Sequence, residues 1–329
     1  MATYNAWRVH EKDGEYVGNI ETLDTADLPD GDVLIHVTHS SLNYKDALSA
    51  SGNKGVTREF PHTPGIDAAG EVIESSTDQY TVGQQVLVTG YDLGMNTPGG
   101  FGEYIRVPAG WVVAVPKGWD AHKAMVYGTA GLTAGLCVNK LLKAGANPEQ
   151  GPVVVTGASG SVGSVAVEIL SGLGFEVTAV SGKPDQAEYL SQLGAKDIVG
   201  RDSLAPEKKP LLKPQFANAV DTVGGGPLAE LLKQIKPGGS VACCGLAAGM
   251  QLETTMAPFI LRGVNLLGID SVEIPLPEKH EIWSKLAQDW KCTVTENSAK
   301  SIGKEDLNDA LQAFLKGASA GKIVLDHSV

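Results

Sequence analysis

The chain has 329 residues, with 26 Lys and Arg against 38 Asp and Glu, and a formal net charge of −12. No basic run breaks that acidic balance, so a nucleic-acid partner is excluded as an expectation. Hydrophobic residues at 43% and charged residues at 19% supply a normal globular core, and the length points to two domains.

The segment 1–16 mixes charged and polar residues and lacks the apolar core of a secretory signal. The uncharged stretch Ala124 to Asn139 carries three glycines and is shorter than the ~20 residues a spanning helix needs, so no membrane segment is expected. Cys137, Cys243, Cys244 and Cys292 are too few and too scattered for a disulfide framework, which fits a reducing cytoplasm.

From Ala2 to about Val115 short β-rich runs alternate with turn residues: Val33–Val37, Gly70–Ile73, Gln85–Val88 and Trp111–Val115. Helix-length segments begin near Ala121. From Gly151 the pattern alternates apolar strand and helix, with strands predicted at Pro152–Thr156, Phe175–Val180, Asp197–Val199, Phe216–Asp221, Ser240–Cys244 and Val264–Ile269. Six strands of this kind predict an α/β, doubly wound parallel sheet. After Ser271 two helices are predicted near Glu281–Asp289 and Leu307–Leu315, then a terminal strand, Lys322–Asp326, that returns to the first domain.

The strongest local signal is the run Val153-Val154-Val155-Thr156-Gly157-Ala158-Ser159-Gly160-Ser161-Val162-Gly163 leading into an amphipathic segment. Strand, glycine loop and helix follow in the order of a dinucleotide fingerprint, with Ala158 in the first glycine position and Gly160 and Gly163 in the second and third. At the end of the next strand, where NAD enzymes carry an acid for the ribose 2′-hydroxyl, the chain has Ser181-Gly182-Lys183. A hydroxyl and a cation there suit a 2′-phosphate, so NADPH is the expected cofactor, with Arg201 as a second candidate cation.

The segments Asn43-Tyr44-Lys45-Asp46, Pro64 to Val72, Thr129 to Ala134, the glycine loop and Pro258 to Gly263 resemble, in that order, the medium-chain dehydrogenase/reductases. Arg262 to Val272 is similar to the acrylyl-CoA reductase branch, also labelled YhdH-type quinone oxidoreductases. The resemblance implies a GroES-like, partly open β-barrel catalytic domain from 1–123 and 271–329 and a Rossmann domain from 124–270. It implies a homodimer as well. Where zinc alcohol dehydrogenases of the superfamily place Cys, His and Cys ligands, this chain has Asn43, Ile66 and Thr129, an unsuitable donor set. The four cysteines of their structural zinc site are also missing between Tyr91 and Phe101.

The reaction so implied is NADPH-dependent reduction of the activated C=C of acryloyl-CoA or a short enoyl-CoA to the saturated thioester. The open alternatives are an NADPH:quinone oxidoreductase and a non-catalytic NADPH-binding redox sensor. Tyr44 is the first candidate for contact with nicotinamide or for proton donation, beside a role as a cleft-wall aromatic; Asn43 offers an amide donor or a turn-stabilising side chain. Thr133 matches a position that touches nicotinamide in the superfamily. Gly245-Leu246 and Ile269-Asp270-Ser271 follow strands, where Gly245, Leu246, Ile269 and Ser271 could meet the carboxamide. Asp46 reads best as a turn-holding carboxylate, Asp67 as a turn-holding carboxylate or, equally, an acid/base group, Cys243 and Cys244 as packing, and Arg262 and Lys322 remain unassigned.

Overall fold

The computed structural model describes residues 2–329. The chain divides into two compact units, 1–129 with 272–287 and 298–329, and 130–271 with 288–297.

In the first unit a sheet runs in the order Lys300–Ile302, Ile323–Asp326, Val33–Ser41, Asp67–Ser75, Gln85–Thr89, Val112–Ala114, with Tyr104–Val107 also paired to Val33–Ser41. Its alternating apolar positions build the core: Val33, Ile35 and Val37 pack with Val72, Val86, Val88, Ile105 and Val112. That alternation leaves one face of each strand for the core. The tail returns as expected: Ile323–Asp326 lies antiparallel to Val33–Ser41, with Val324 opposite Ser41.

A hairpin of Thr3–Lys12 and Glu15–Asp24 forms its own two-stranded sheet. Sequence reading does not predict it, although Asp13 and Gly14 join the strands with φ values of 54° and 80°, the left-handed pair that a two-residue Asp-Gly turn supplies. Trp7 and Val9 of this hairpin pack with Leu42, Phe101, Leu311 and Leu325.

The second unit holds six parallel strands in the order Asp197–Val199, Val177–Val180, Val153–Thr156, Phe216–Asp221, Ile235–Cys243, Asn265–Gly268. All four residues of Val153–Thr156 are buried, as a central parallel strand covered on both faces requires. The order reverses between Val153–Thr156 and Phe216–Asp221, so the loops after Thr156 and Asp221 flank the switch point. Among the described residues no helix is long and apolar enough to cross a membrane.

Candidate cofactor and active site

The loop after Thr156 is shaped by close backbone approach. Gly157 takes φ 59°, so the left-handed turn falls there and Ala158, fully buried, can stand where the fingerprint has its first glycine. Gly160 caps the helix Ser161–Gly172. A Cβ on Gly163 would overlap the Gly157 carbonyl oxygen and sit 2.8 Å from Ala158 Cα. Only glycine lets this helix approach the strand so closely. Ser161 and Val162 open the helix, so their backbone N–H groups belong to the first turn, which stabilises an anion.

The next strand ends beside this loop. Ser159 Oγ and Ser181 Oγ are 3.0 Å apart, and Ser181 Oγ accepts from Lys183 N at 3.1 Å. Strand Asp197–Val199 pairs with Val177–Val180, which brings Arg201 next to Gly182: a Cβ there would lie 2.5 Å from Arg201 Cζ. Desolvation, with the Arg201 cation adding to it, pulls the Lys183 ammonium below its usual value, against an opposing effect of Asp185. Two cations and two hydroxyls gathered at the strand ends form a site suited to a dianionic phosphate.

Farther along the same sheet edge, Thr133 Oγ1 donates to Ser271 Oγ at 2.8 Å, and Ile269 N donates to Cys243 O at 3.0 Å. A Cβ on Gly245 would overlap the Thr222 carbonyl, while Leu246 is 52% exposed. Gly245, Leu246, Ile269 and Ser271 thus follow the ends of the last two strands, and Thr133, on the helix Ala121–Lys143, meets them through Ser271.

In the first unit, the superfamily's zinc-ligand positions are woven into hydrogen bonds around Asp67, which is fully buried. Asn43 Nδ2 donates to Asp67 Oδ2 at 2.9 Å and to Ser41 Oγ at 3.1 Å. Thr129 donates from N at 2.8 Å and from Oγ1 at 2.6 Å to the same carboxylate, and Ser41 Oγ also donates to it. The two amide hydrogens of Asn43 are thus engaged by protein. Gly128 makes the approach possible: it has φ 50° inside the Ala121–Lys143 helix, and a Cβ would lie 2.5 Å from Ser41 Oγ and 2.6 Å from Asp67 Oδ2.

Asp46, also fully buried, accepts from Asn43 N at 2.7 Å and Ile66 N at 2.8 Å. Burial first, and the neighbouring Asp67 charge second, push its carboxyl up to about 7, against its hydrogen bonds to Ile66 and Asn43. Tyr44 follows Asn43 as the first residue of helix Tyr44–Ala50, and its side chain is 42% exposed.

Residues 29–117 match the alcohol dehydrogenase GroES-like domain and residues 161–288 the zinc-binding dehydrogenase domain. The chain is 44% identical to the acrylyl-CoA reductase AcuI of Ruegeria pomeroyi over 96% of each protein. This chain belongs to the medium-chain dehydrogenase/reductase family.

Two solved structures of this family are also similar. The yhdH oxidoreductase from Salmonella enterica, in complex with NADP, is 44% identical with a TM-score of 0.96 over 98% of this chain and 99% of that one. The yhfP protein of Bacillus subtilis, with NAD bound, is 39% identical with a TM-score of 0.95 over 99% and 100%.

Within this medium-chain dehydrogenase/reductase, the donor set at Asn43, Ile66 and Thr129 does not fit zinc: an amide and a hydroxyl already donate to Asp67, and Ile66 has no ligand atom. Among the described residues no three His, Cys, Asp or Glu side chains are grouped to hold a metal ion. Arg262 takes a structural place, donating to the carbonyls of Lys233, Ile235 and Leu212. Cys243 and Cys244 are half-buried and unbonded to each other, and burial raises the Cys243 thiol, which keeps it a poor nucleophile.

Sequence reading misses the tie across the switch point. Thr156 Oγ1 donates to Asp221 Oδ1 at 2.7 Å, Gly224 N to Asp221 Oδ2 at 2.8 Å, and Thr222 Oγ1 to Thr156 O at 2.8 Å. An acid ending the apolar strand Phe216–Asp221 was the available signal. Lys322, left unassigned from sequence, is 1% exposed and donates to Tyr127 O at 3.1 Å.

Proposed function

We propose that this oxidoreductase uses NADPH to reduce the activated C=C of acryloyl-CoA, or a short enoyl-CoA, to the saturated thioester. The observation that carries the cofactor choice is the convergence of Ser159, Ser181, Lys183 and Arg201 at the position where an NAD site needs an acid. The acceptor choice rests on the similarity to the Ruegeria reductase.

In this reading Gly182 leaves room for the Arg201 guanidinium, which with Lys183 would hold the ribose phosphate, and residues 157–163 would hold the diphosphate through backbone N–H groups and the helix N-terminus. Thr133, Gly245, Leu246, Ile269 and Ser271 orient the carboxamide end. When bound, reduced NADPH supplies the hydride, which the acceptor takes at its β-carbon. The electron pair of the acceptor's π bond then moves toward the thioester oxygen. Tyr44 donates the proton that reaches the α-carbon, completing the saturated product and leaving a phenolate that solvent reprotonates. Asn43, whose amide hydrogens are spent on Asp67 and Ser41, serves by fixing the turn that carries Tyr44.

The unit containing residues 130–271 is the proposed cofactor domain. A homodimer is also proposed: Met256, Ile260 and Leu261 are 63, 71 and 69% exposed, close in sequence to Asn265–Gly268, an edge strand of the six-stranded sheet. An uncovered apolar patch beside a sheet edge favours a second copy. The four free cysteines suit a reducing cytoplasm.

The test is NADPH consumption with acryloyl-CoA, crotonyl-CoA and a panel of quinones. Turnover of the thioesters, with propionyl-CoA as the product from acryloyl-CoA, is the expected result. Turnover of quinones alone supports the reading suggested by the name of Bacillus subtilis YhfP, a candidate quinone oxidoreductase; tight NADPH binding with no turnover supports a sensor.

A further inference from the structure

Lys322 is a fully buried cation with no place in the reaction described above. It precedes the strand Ile323–Asp326, whose Ile323 carbonyl accepts from Leu42 N at 3.0 Å, one residue before Asn43. Its ammonium donates to the Tyr127 carbonyl at 3.1 Å, and Tyr127 leads through the Gly128 kink to Thr129, a donor to Asp67. Asp67 in turn holds the amide of Asn43, the residue before Tyr44. Lys322 is thus tied to both chain segments that meet at the carboxylate. A lone buried ammonium is costly unless a charge and hydrogen bonds compensate it, and the same holds for a buried carboxylate.

We propose that Lys322, by pinning the Tyr127 carbonyl ahead of the Gly128 kink, keeps Thr129 on Asp67 and so sets the turn before Tyr44, making Lys322 a positioning residue for the proton-donating step. This rests on the reading of Tyr44 as donor. With the Tyr127 carbonyl pinned, the adjoining Thr129 stays on Asp67, which keeps its hold on Ser41 and Asn43 as well. Burial draws the lysine down to about 8, and the Asp67 charge in the same interior resists that shift. Asp46 is the other buried acid of the cluster and accepts from the backbone N–H groups of Asn43 and Ile66.

Two measurements test the link. In the cofactor-free enzyme, hydrogen exchange read by mass spectrometry should show the amides of 42–47 exchanging at least about tenfold faster in Lys322→Met, with 157–163 unchanged. Unchanged exchange at 42–47 overturns the proposal. In the turnover assay, with the acceptor that the enzyme reduces, Lys322→Met and Tyr44→Phe should each lower kcat while the KM for NADPH stays within about twofold, and the double variant should be no slower than the slower single one. Losses that multiply overturn the role of Lys322 and leave Tyr44 as donor. Full activity in Tyr44→Phe, where Lys322 is intact, instead removes the donor and with it the positioning role. If Lys322→Met does not fold, Asp67→Asn/Lys322→Met, which removes both buried charges, is compared with Asp67→Asn by the same two criteria.

Discussion

The Asp67 cluster and the Ser181 cluster use similar groups to opposite ends. Around Asp67 every partner belongs to the protein: Ser41, Asn43 and Thr129 all donate into one carboxylate in the first unit's interior. Around Ser181 two cations come together with hydroxyls, Arg201 is exposed, and the acid that acts on Lys183, Asp185, only partly offsets them. A polar network that shares one carboxylate holds a backbone in place; two cations beside two hydroxyls at strand ends suit a dianionic phosphate.

That contrast is most severely tested by Asp67→Ala. It leaves buried donors on Ser41, Asn43 and Thr129 without an acceptor, so chemical denaturation should show a loss of about 3 to 5 kcal/mol. A loss below about 1 kcal/mol would mean the network is slack.

The pH dependence of stability probes the same cluster. Asp46 has its carboxyl pKa raised from 3.8 to about 7, so the folded state holds this proton more tightly than the unfolded chain. Its stabilising contribution is therefore fully present below 3.8 and is lost as pH rises through about 7, with a span of a few kcal/mol at most. Denaturant midpoints measured across this window should decline less steeply in Asp46→Asn than in the parent, and parallel curves would refute the assignment.

At the other cluster the expected damage is to cofactor choice and not to folding. Lys183→Ala/Arg201→Ala should raise the KM for NADPH about 10- to 100-fold and leave that for NADH nearly unchanged, since the two solvent-screened contacts to a phosphate are together worth about 1.5–3 kcal/mol. Equal losses with both cofactors would place the 2′-phosphate elsewhere. The smallest effect belongs to Ser159→Ala, which removes one hydroxyl from the pair at 3.0 Å. About a threefold weaker NADPH affinity by fluorescence titration is expected, with the melting temperature unchanged to about a degree.

Sequence legibility divided along the same line. The loop from Val153 to Gly163 was readable because all its constraints are local: an apolar strand, a turn and a helix start within eleven consecutive positions. Ser181 and Lys183 were readable from their place one strand later. The Asp13-Gly14 turn was readable in principle, and the hairpin around it went unpredicted because its strands mix charged and apolar residues without a clean period of two. Asp67 looked like a turn-holding acid, since nothing nearby in sequence marks its partners: Thr129 lies 62 positions away.

Local chain chemistry by itself determined the parallel sheet, the glycine loop and the serine and lysine that suit a phosphate, since strand period, turn conformation and helix polarity are set over a few residues. Tertiary structure alone decided that Arg201 joins that pair, that the amide of Asn43 is turned into the protein, and that Lys322 is buried near an acid. Those outcomes depend on which distant segments desolvate one another, and a buried charge has no signature until the groups around it are in place.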